Sequence, residues 1–349
     1  MSITNDKRVS LQARMVGTPI PRLWCPPLTH YTGTGVLDTE RMAHHWRWMQ
    51  PFVRTFLVPG STGDGWEMTE SEIDALLDAA LDLAADLGAR MLVGVLRTDV
   101  STMVESIHRT VQKLQARTGL RDALDALRES RVCGFTVCPP RGAGLSQAEL
   151  REGLDTVLKL GVPVAIYQLP QITQNEMSAQ LIAELADTHS NFILFKDSSG
   201  TDHVATQDRG ACGVFLVRGA EGDYASWLRE TGGPYHGLLL STANCLAAPL
   251  HRMLELLEAG ELQAAQAISD QLTGAVRAVF ERVQSLPWGN AFTNANKAMD
   301  HFMAYGPSAA SVEPPMLYAR QRLPKHIIEE TEGILRQAKL LPDHGYLVA

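Results

Sequence analysis

Apolar and polar positions follow a repeating order along the chain, in which a short apolar run precedes a longer stretch of helical periodicity. A short apolar run bounded by turn residues predicts a buried strand, and apolar residues three or four positions apart predict a helix with one buried face. Eight strands are predicted on this basis, at residues 22–28, 55–60, 91–96, 134–138, 162–169, 192–197, 214–219 and 236–241. Helical patterns alternate with these runs, which predicts repeated βα units.

Local signals mark individual helices. Thr69 and Glu72 form a capping box where the helix after the second strand begins. Two helical patterns, at residues 101–115 and 120–130, lie between the third and fourth strands. One crossover helix is enough to join parallel strands, so we interpret the second pattern as an insertion. Beyond residue 253 no strand pattern returns, and helices are predicted at residues 253–283, 291–303 and 317–341.

The number of βα units predicts the fold class. Eight such units most economically close into an α/β fold, the (β/α)8 or TIM barrel of about 250 residues. A doubly wound open sheet is the alternative, but no G-x-G-x-x-G follows a predicted strand. We therefore predict a barrel with a polar N-terminal leader over residues 1–252, and C-terminal helices packed on it over residues 253–349.

Composition and charge narrow the cellular setting. The 349 residues are 45% hydrophobic and 20% charged, as in a globular protein with a sizeable core. The formal net charge of −8 argues against nucleic acid and anionic membrane surfaces as partners. No signal peptide or membrane-spanning stretch is recognisable. Five scattered cysteines without a C-x-x-C motif indicate reduced thiols and a cytoplasmic protein, at positions Cys25, Cys133, Cys138, Cys212 and Cys245.

Lys196 interrupts the sixth apolar run near its C-terminal end. Side chains alternate along a strand, so Lys196 shares a face with Leu194 and Ser198. A lysine in this position must reach water, pair with a carboxylate such as Asp197, or lie as a neutral amine in a dry pocket. Desolvation lowers the pKa of a buried amine and makes it nucleophilic toward carbonyl carbon. By itself this one lysine fits an ion pair as well as a nucleophile.

The other strand ends supply further candidates, because catalytic groups in a (β/α)8 barrel lie at the C-terminal ends of the strands. Tyr167, near the end of the fifth strand, is either a proton donor or a core tyrosine with a satisfied hydroxyl group. The hydroxyl, amine, phenol, carboxylate and guanidinium groups collected in this way belong to Ser61, Thr62, Arg97, Arg141, Tyr167, Lys196, Glu221 and Ser241, with Gly219 beside them.

Three motifs resemble those of the dihydrodipicolinate synthase/N-acetylneuraminate lyase family of Schiff-base aldolases and lyases. Residues 60–64, Gly-Ser-Thr-Gly-Asp, are similar to the family's G-[ST]-T-G-E turn. Residues 167–170, Tyr-Gln-Leu-Pro, are similar to Y-N-x-P, and residues 195–200, Phe-Lys-Asp-Ser-Ser-Gly, to the K-D-[ST]-S-G strand. Residues 237–244 resemble the family's eighth-strand segment, and the resemblance covers roughly residues 23–307.

The resemblance implies roles for these residues. Lys196 would form an imine with pyruvate or another small-molecule 2-oxo acid, and Tyr167 would carry a proton to and from the substrate. Thr62 would hold the carboxylate of the 2-oxo acid, and Ser61 would take part in the proton relay. Gly219, Glu221 and Ser241 are expected at the substrate site from their places at the strand ends, although the local order of residues 219–223 differs from that of sialate lyases. No cofactor and no metal are expected, since the imine accepts the electron pair, and a homotetramer is expected from the family.

Two departures from the family pattern concern the substrate. Many members carry P-Y-Y after the fourth strand, and the second tyrosine enters the relay of a neighbouring subunit. Here the segment at 138–141 reads Cys-Pro-Pro-Arg. Ile172 stands where dihydrodipicolinate synthases have the arginine that binds aspartate semialdehyde. We hypothesise that Arg97 and Arg141 instead bind acidic or polar substrate groups, the alternative being surface ion pairs.

The sequence thus predicts a lyase or aldolase that cleaves or condenses a 2-oxo acid through a Schiff base. The substrate class considered first is a 2-keto-3-deoxy sugar acid, cleaved or dehydrated through the same imine. One alternative is a true dihydrodipicolinate synthase. Another is a non-catalytic family member that binds a 2-oxo acid without turnover.

Overall fold

Eight parallel strands form the centre of the computed structural model, which describes residues 3–207 and 213–348. They are hydrogen-bonded in the order β1-β8-β7-β6-β5-β4-β3-β2. Their bounds are β1 Leu23–Trp24, β2 Thr55–Val58, β3 Arg90–Val95, β4 Val132–Val137, β5 Val164–Gln168, β6 Phe192–Asp197, β7 Phe215–Arg218 and β8 Gly237–Leu239. Each strand lies at one of the eight predicted positions, although β1 is much shorter than predicted.

The first and second strands close the sheet into a barrel. The backbone N–H of Cys25 donates to Thr55 O at 3.1 Å, and that of Leu57 donates to Cys25 O at 3.0 Å. Burial is nearly complete along all strands, as expected for a parallel sheet covered by helices. The predicted (β/α)8 barrel with C-terminal helices is therefore confirmed.

Helices cover the outside of the barrel and continue beyond its last strand. Their bounds are α1 Ile3–Met15, α2 Thr39–Met49, α3 Glu70–Leu87, α4 Val100–Thr118, α5 Ala123–Glu129, α6 Gln147–Leu158, α7 Pro170–Thr173, α8 Ala179–Thr188, α9 His203–Thr206, α10 Ala243–Glu258, α11 Leu262–Val283, α12 Ala291–Tyr305 and α13 Lys325–Gln337. The capping box of Thr69 and Glu72 is present at the start of α3, and α5 is the predicted insertion between β3 and β4.

The segment that we predicted as a polar leader contains α1 instead. Its buried residues are Arg8, Gln12 and Met15, so two of the three carry polar side chains. Arg8 donates to Phe192 O at 2.8 Å, and Gln12 donates to Ile193 O and Gly213 O, both at 2.8 Å. The helix therefore attaches to β6 through hydrogen bonds to backbone carbonyls. A search for an apolar stripe misses a helix that is held in this way.

The C-terminal helices also differ in their bounds from the prediction. The helix predicted over residues 253–283 is two helices, because α10 begins at Ala243 and the chain turns at Gly260, which has a φ of +79°. The last helix, predicted over residues 317–341, is confined to α13. The predicted division after residue 252 falls inside α10, and the division into two units stays a prediction.

Two further expectations concern thiols and membranes. Cys25, Cys133, Cys138 and Cys245 are buried and free, and Cys212 lies outside the described residues. Burial raises the pKa of the Cys138 thiol to about 12, which keeps it protonated at neutral pH. Among the described residues, no helix combines the length and the apolar character that crossing a membrane requires.

A buried polar network joins α2 to α12 on one side of the barrel. His30 Nε2 lies 3.0 Å from His45 Nδ1, and His45 Nε2 lies 2.8 Å from Asn244 O. Asp300 accepts from Arg41 at 2.8 Å and from the hydroxyl group of Tyr346 at 2.8 Å. Burial lowers the pKa of His45 and, with a smaller contribution from the Arg41 charge, that of His30. Both imidazoles are therefore neutral in the folded protein.

This network generates a prediction about stability and pH. The unfolded chain takes up protons on these histidines below pH about 6.5, whereas the folded chain does so only at lower pH. The free energy of unfolding therefore falls as the pH decreases from about 6.5, by up to about 1.4 kcal/mol per pH unit for each such histidine.

We expect His45→Gln to weaken this pH dependence, measured as the free energy of unfolding in urea between pH 7.5 and 5.5. The neighbouring His44 is exposed, so His44→Gln is the control and should keep the wild-type slope. Equal slopes in His45→Gln and wild type would contradict the prediction, whatever the absolute stability of the variant.

Candidate active site

A cavity of about 450 Å³ opens at the C-terminal ends of the strands, where α11 and the start of α12 cover it. Seven of the nine predicted site residues line it, namely Ser61, Thr62, Tyr167, Lys196, Gly219, Glu221 and Ser241. Parallel strands bring their C-terminal ends to one rim of the barrel, which explains how residues 180 positions apart meet there.

Lys196 and Tyr167 face each other across the junction of β5 and β6. They are register partners in the two strands, and Lys196 Nζ lies 4.0 Å from the centroid of the Tyr167 ring. Lys196 is 4% exposed and Tyr167 3% exposed. Among the described residues no carboxylate lies within ion-pairing distance of Lys196. The alternative of an ion pair with Asp197 is therefore wrong. Its amine is directed at the cavity and an aromatic face.

Gly219 provides the space that Lys196 occupies. A Cβ atom at this position would lie 2.7 Å from Lys196 Cε and would also collide with Ser198 Oγ. The backbone N–H of Gly219 donates to Asp197 O at 2.6 Å, which brings the loop after β7 against the end of β6. Close approach of backbone to the lysine stem therefore requires glycine here.

The loop after β2 presents Ser61 and Thr62, and α12 holds it in place. Asn290 Nδ2 donates to Ser61 O at 3.1 Å, and Thr293 Oγ1 donates to Thr62 O at 3.0 Å. Further along the loop Asp64, in the left-handed region with a φ of 62°, forms a buried ion pair with Lys297 at 3.3 Å. The side chains of Ser61 and Thr62 are left to the cavity.

Trp66 is a site residue that the sequence analysis missed. Its indole Nε1–H donates to Ser61 Oγ at 2.9 Å, and its ring packs against the small cluster of Cys138, Tyr167 and Leu169. It follows Ser61 by five residues in the same loop, so its position in the motif was the available signal. The indole thus hydrogen-bonds to Ser61 and packs against the cluster that contains Tyr167, the two residues predicted to move protons.

Glu221 lines the cavity, but its carboxylate is fully engaged. Ser241 Oγ and Thr242 N donate to Oε1 at 2.6 and 3.1 Å, and Thr242 Oγ1 and the hydroxyl group of Tyr224 donate to Oε2 at 2.6 and 2.9 Å. A carboxylate has about four acceptor positions, and these four donors use them. Ser241 Oγ in turn accepts from Asn296 Nδ2 at 3.0 Å. Glu221 therefore orients its neighbours in this structure.

A buried ion pair beneath the cavity supports the loop that carries Glu221. Arg218 binds Asp202 through Nε at 3.1 Å and Nη2 at 3.2 Å, and its Nη1 donates to Ala220 O and Gly222 O at 3.0 and 2.7 Å. The hydroxyl group of Tyr235 donates to the same carboxylate at 2.6 Å. The bidentate guanidinium thus ties both sides of the loop to the start of α9.

Arg97 and Arg141 are the two predicted site residues that do not line the cavity. Arg97 Nη2 lies 2.5 Å from Glu70 Oε1, a carboxylate at the start of α3 that also pairs with Arg109. Arg141 is exposed, and its loop is held by hydrogen bonds such as Arg141 N to Thr98 O at 3.2 Å. Arg97 therefore forms an ion pair, which was the alternative to substrate binding, because a helix that packs beside the strand supplies the carboxylate of Glu70.

The C-terminal helices contribute a wall that the sequence analysis did not place. Thr273, Val276, Arg277 and Phe280 lie at positions i, i+3, i+4 and i+7 of α11 and face the cavity. The ring of Phe280 makes an edge-to-face contact with Phe292 at a centroid distance of 4.7 Å. In the described part of the chain, no hydrogen bond or ion pair engages the guanidinium of Arg277.

Groups that could hold a metal ion lie elsewhere. Among the described residues, one set of three ligating side chains comes within 4.8 Å of one another, that of His30, His45 and Asp300. None of them lines the cavity. Asp300 is already neutralised by Arg41 at 2.8 Å, so a cation there would face the guanidinium charge. The arrangement is explained as a hydrogen-bonded core network.

Comparison with known proteins gives a consistent family. The sequence profile of the dihydrodipicolinate synthetase family matches residues 20–291. The 4-hydroxy-tetrahydrodipicolinate synthase of Methanospirillum hungatei JF-1 is 26% identical over 184 residues, which are 49% of this chain and 61% of that protein. That of Stenotrophomonas maltophilia is 28% identical over 253 residues, 70% of this chain and 76% of that protein. The chain spans about three fifths of the length of the first curated relatives that it matches.

Solved structures share the fold over nearly their whole length. Dihydrodipicolinate synthase of Thermotoga maritima has a TM-score of 0.71 at 16% identity, covering 92% of this chain and 99% of that one. A prophage protein of E. coli K12 from the dihydrodipicolinic acid synthase family was solved in complex with pyruvate. It has a TM-score of 0.70 at 20% identity, covering 91% of this chain and 99% of that one. A variant of the 2-keto-3-deoxygluconate aldolase of Sulfolobus solfataricus has a TM-score of 0.69 at 16% identity, covering 92% of this chain and 99% of that one. At these identities the likeness concerns the fold.

The close approach of Gly219 to Lys196 generates a prediction. We expect Gly219→Ala to lower the free energy of unfolding by about 1–3 kcal/mol, the usual cost of forcing a methyl group into a packed site. Gly144→Ala is the control, because a Cβ atom there meets nothing within 4 Å. Urea unfolding monitored by circular dichroism measures both, and equal stabilities of the two variants would show that the lysine stem moves aside freely.

Proposed function

The chain belongs to the dihydrodipicolinate synthetase family, and on that premise we propose that it is a lyase that forms a Schiff base with a pyruvate-type 2-oxo acid. The observation that carries the proposal is the buried amine of Lys196, which faces the cavity 4.0 Å from the ring of Tyr167. Hydroxyl groups of Ser61 and Thr62 line the same cavity. An amine held in this way is the nucleophile of imine-forming aldolases.

The proposed reaction begins when Lys196 Nζ attacks the ketone carbon of the 2-oxo acid. A C–N bond forms, the ketone oxygen leaves as water, and a protonated imine results. When the carbon–carbon bond beyond C3 breaks, its electron pair moves into the imine and leaves an enamine together with an aldehyde. Protonation of C3 and hydrolysis then release pyruvate and restore the amine. The imine supplies the electron sink, so the proposal needs no cofactor and no metal.

Tyr167 and Ser61 would move the protons of this reaction. The aldehyde-forming step releases the proton of the substrate hydroxyl group, and carbon–carbon bond formation returns it. Tyr167 lies beside the amine, and Ser61 lines the same cavity. Thr62, 4% exposed at the turn after β2, would hold the substrate carboxylate through its hydroxyl and backbone N–H groups.

Arg277 supports a substrate with hydroxyl or acidic groups beyond the 2-oxo acid, as sugar acids have. It faces the cavity from α11, and no described side chain neutralises it. It takes the part that we hypothesised for Arg97 and Arg141. A guanidinium binds a carboxylate through two parallel hydrogen bonds. We therefore propose 2-keto-3-deoxy sugar acids as the substrate class, cleaved or dehydrated through the imine.

A second candidate is 4-hydroxy-tetrahydrodipicolinate synthase, favoured by the name that several curated relatives share. It would condense pyruvate with aspartate semialdehyde. Arg277 would then do the work of the family's arginine, whose position is occupied here by Ile172. A third is a family member that binds a 2-oxo acid without turnover. By analogy with the family we also propose a homotetramer in the cytoplasm.

The central prediction concerns covalent trapping. Pyruvate with sodium borohydride should reduce the imine and add the pyruvate skeleton to Lys196, located by peptide mapping. Lys297 provides an internal control, because it is also buried, at 1% exposure. Burial lowers the pKa of Lys297, and the Asp64 charge opposes this effect. Lys297 does not line the cavity and should stay unmodified. An adduct on Lys297, or none on Lys196, would refute the proposal.

A further prediction separates the arginines. We expect Arg277→Ala to lower kcat/KM for the true substrate by about 10- to 100-fold, as removal of a charged hydrogen-bond partner does. Arg141→Ala should leave it nearly unchanged, and both variants should be trapped by pyruvate at the wild-type rate. Assays with 2-keto-3-deoxy sugar acids, and with aspartate semialdehyde plus pyruvate, identify the substrate. A larger loss in Arg141→Ala would restore the role inferred from the sequence.

A further inference from the structure

We propose that Trp66 is a positioning residue that orients the hydroxyl group of Ser61 for proton transfer. The inference rests on the proposed function, in which Ser61 belongs to the proton relay. Trp66 Nε1 lies 2.9 Å from Ser61 Oγ, and the indole ring packs against the cluster that contains Tyr167. Trp66 also lines the cavity, so it touches the space in which the proton would move.

The chemistry of the indole sets the direction of this hydrogen bond. An indole N–H donates and cannot accept, whereas a serine hydroxyl has one proton and two lone pairs. Trp66 therefore occupies a lone pair of Ser61 and leaves the serine proton free. In the described part of the chain, no other hydrogen bond involves Ser61 Oγ. The serine proton is thus available to an oxygen in the cavity, from Tyr167 or from substrate.

The loop between the two residues holds this geometry. The backbone N–H groups of Gly63 and Gly65 both donate to Gly60 O at 3.1 Å, which folds the loop back on itself. The buried pair of Asp64 and Lys297 anchors the loop to α12. Trp66 is therefore brought over Ser61 by the same turn that presents Ser61.

This arrangement gives Ser61 a hydrogen-bond donor from its own chain. The segment after β4 has Pro140 and Arg141 where a tyrosine would reach a neighbouring site, and Trp66 supplies a donor to Ser61 within the same chain. A tyrosine hydroxyl can pass a proton onward, but an indole N–H only donates a hydrogen bond. The proton relay therefore ends at Ser61, and Trp66 orients the hydroxyl group of Ser61 without passing a proton on.

The test measures exchange of the methyl protons of pyruvate with D₂O by NMR, a reaction that needs imine formation and proton transfer but no second substrate. Trp66→Phe keeps an aromatic ring and removes the N–H. We expect it to slow exchange about 5- to 20-fold, the effect of losing one hydrogen bond, with the KM for pyruvate within about twofold of wild type. Trp66→Leu is measured in parallel as a second variant that lacks the donor.

A double-mutant cycle separates positioning from packing. Ser61→Ala alone should slow exchange by about 100-fold, and adding Trp66→Phe to it should slow exchange no further, because the indole acts through the serine. Trp48→Phe is the matched control and should exchange at the wild-type rate, since Trp48 packs on His45 and Tyr346 away from the cavity.

The outcomes distinguish this proposal from the proposed function. A wild-type protein that neither exchanges nor is trapped by pyruvate refutes the Schiff-base function. A wild-type protein that exchanges, with Trp66→Phe equally fast, refutes the role of Trp66 alone. Multiplicative losses in the double variant would also overturn that role, because they would show that the indole acts independently of Ser61.

Discussion

The site depends on the placement of one buried lysine against one tyrosine ring. Tyr167 and Lys196 are register partners in β5 and β6, so the pairing of these strands fixes their distance. A shift of one residue would turn either side chain to the opposite face of the sheet, toward the surrounding helices. Gly219 completes the arrangement, because any larger residue would occupy the volume of the lysine stem. The amine of Lys196 is thus positioned by backbone geometry.

The loops around the lysine are held by buried charges that lie outside the cavity. Arg218 with Asp202 secures the loop after β7, and Asp64 with Lys297 secures the loop after β2. Each of these ions has its opposite charge and further hydrogen bonds, as buried charges require. These contacts therefore hold the loops without drawing on the groups that face the cavity.

Polar side chains at the cavity consequently fall into two kinds. Glu221 is saturated by neighbours, and Ser241 uses its proton on Glu221 and accepts from Asn296, so both shape the wall. Lys196, Ser61 and Arg277 keep hydrogen-bonding capacity that the described chain does not use, and Ser198 Oγ is buried with no hydrogen-bond partner there. A site that reacts with a 2-oxo acid needs side chains with unused hydrogen-bonding capacity at the reacting centre. It also needs fully hydrogen-bonded side chains behind them to hold the geometry. This division agrees with the proposed function, which rests on the buried amine of Lys196.

Much of this protein was determined by the sequence itself. Periodicity is local, so the eight strands, the capping box at Thr69 and the position of Lys196 near the end of a strand were readable from the residues. Convergence of parallel strand ends then predicted that Tyr167, Ser61 and Glu221 would share one cavity, as they do. Long-range packing decided the rest. Arg97 is bound by Glu70 from a separate helix, α1 is attached by polar hydrogen bonds, and α11 turns Arg277 toward the cavity. A sequence pattern shows which face of an element is apolar, but the partner of each polar side chain is chosen when distant elements pack together.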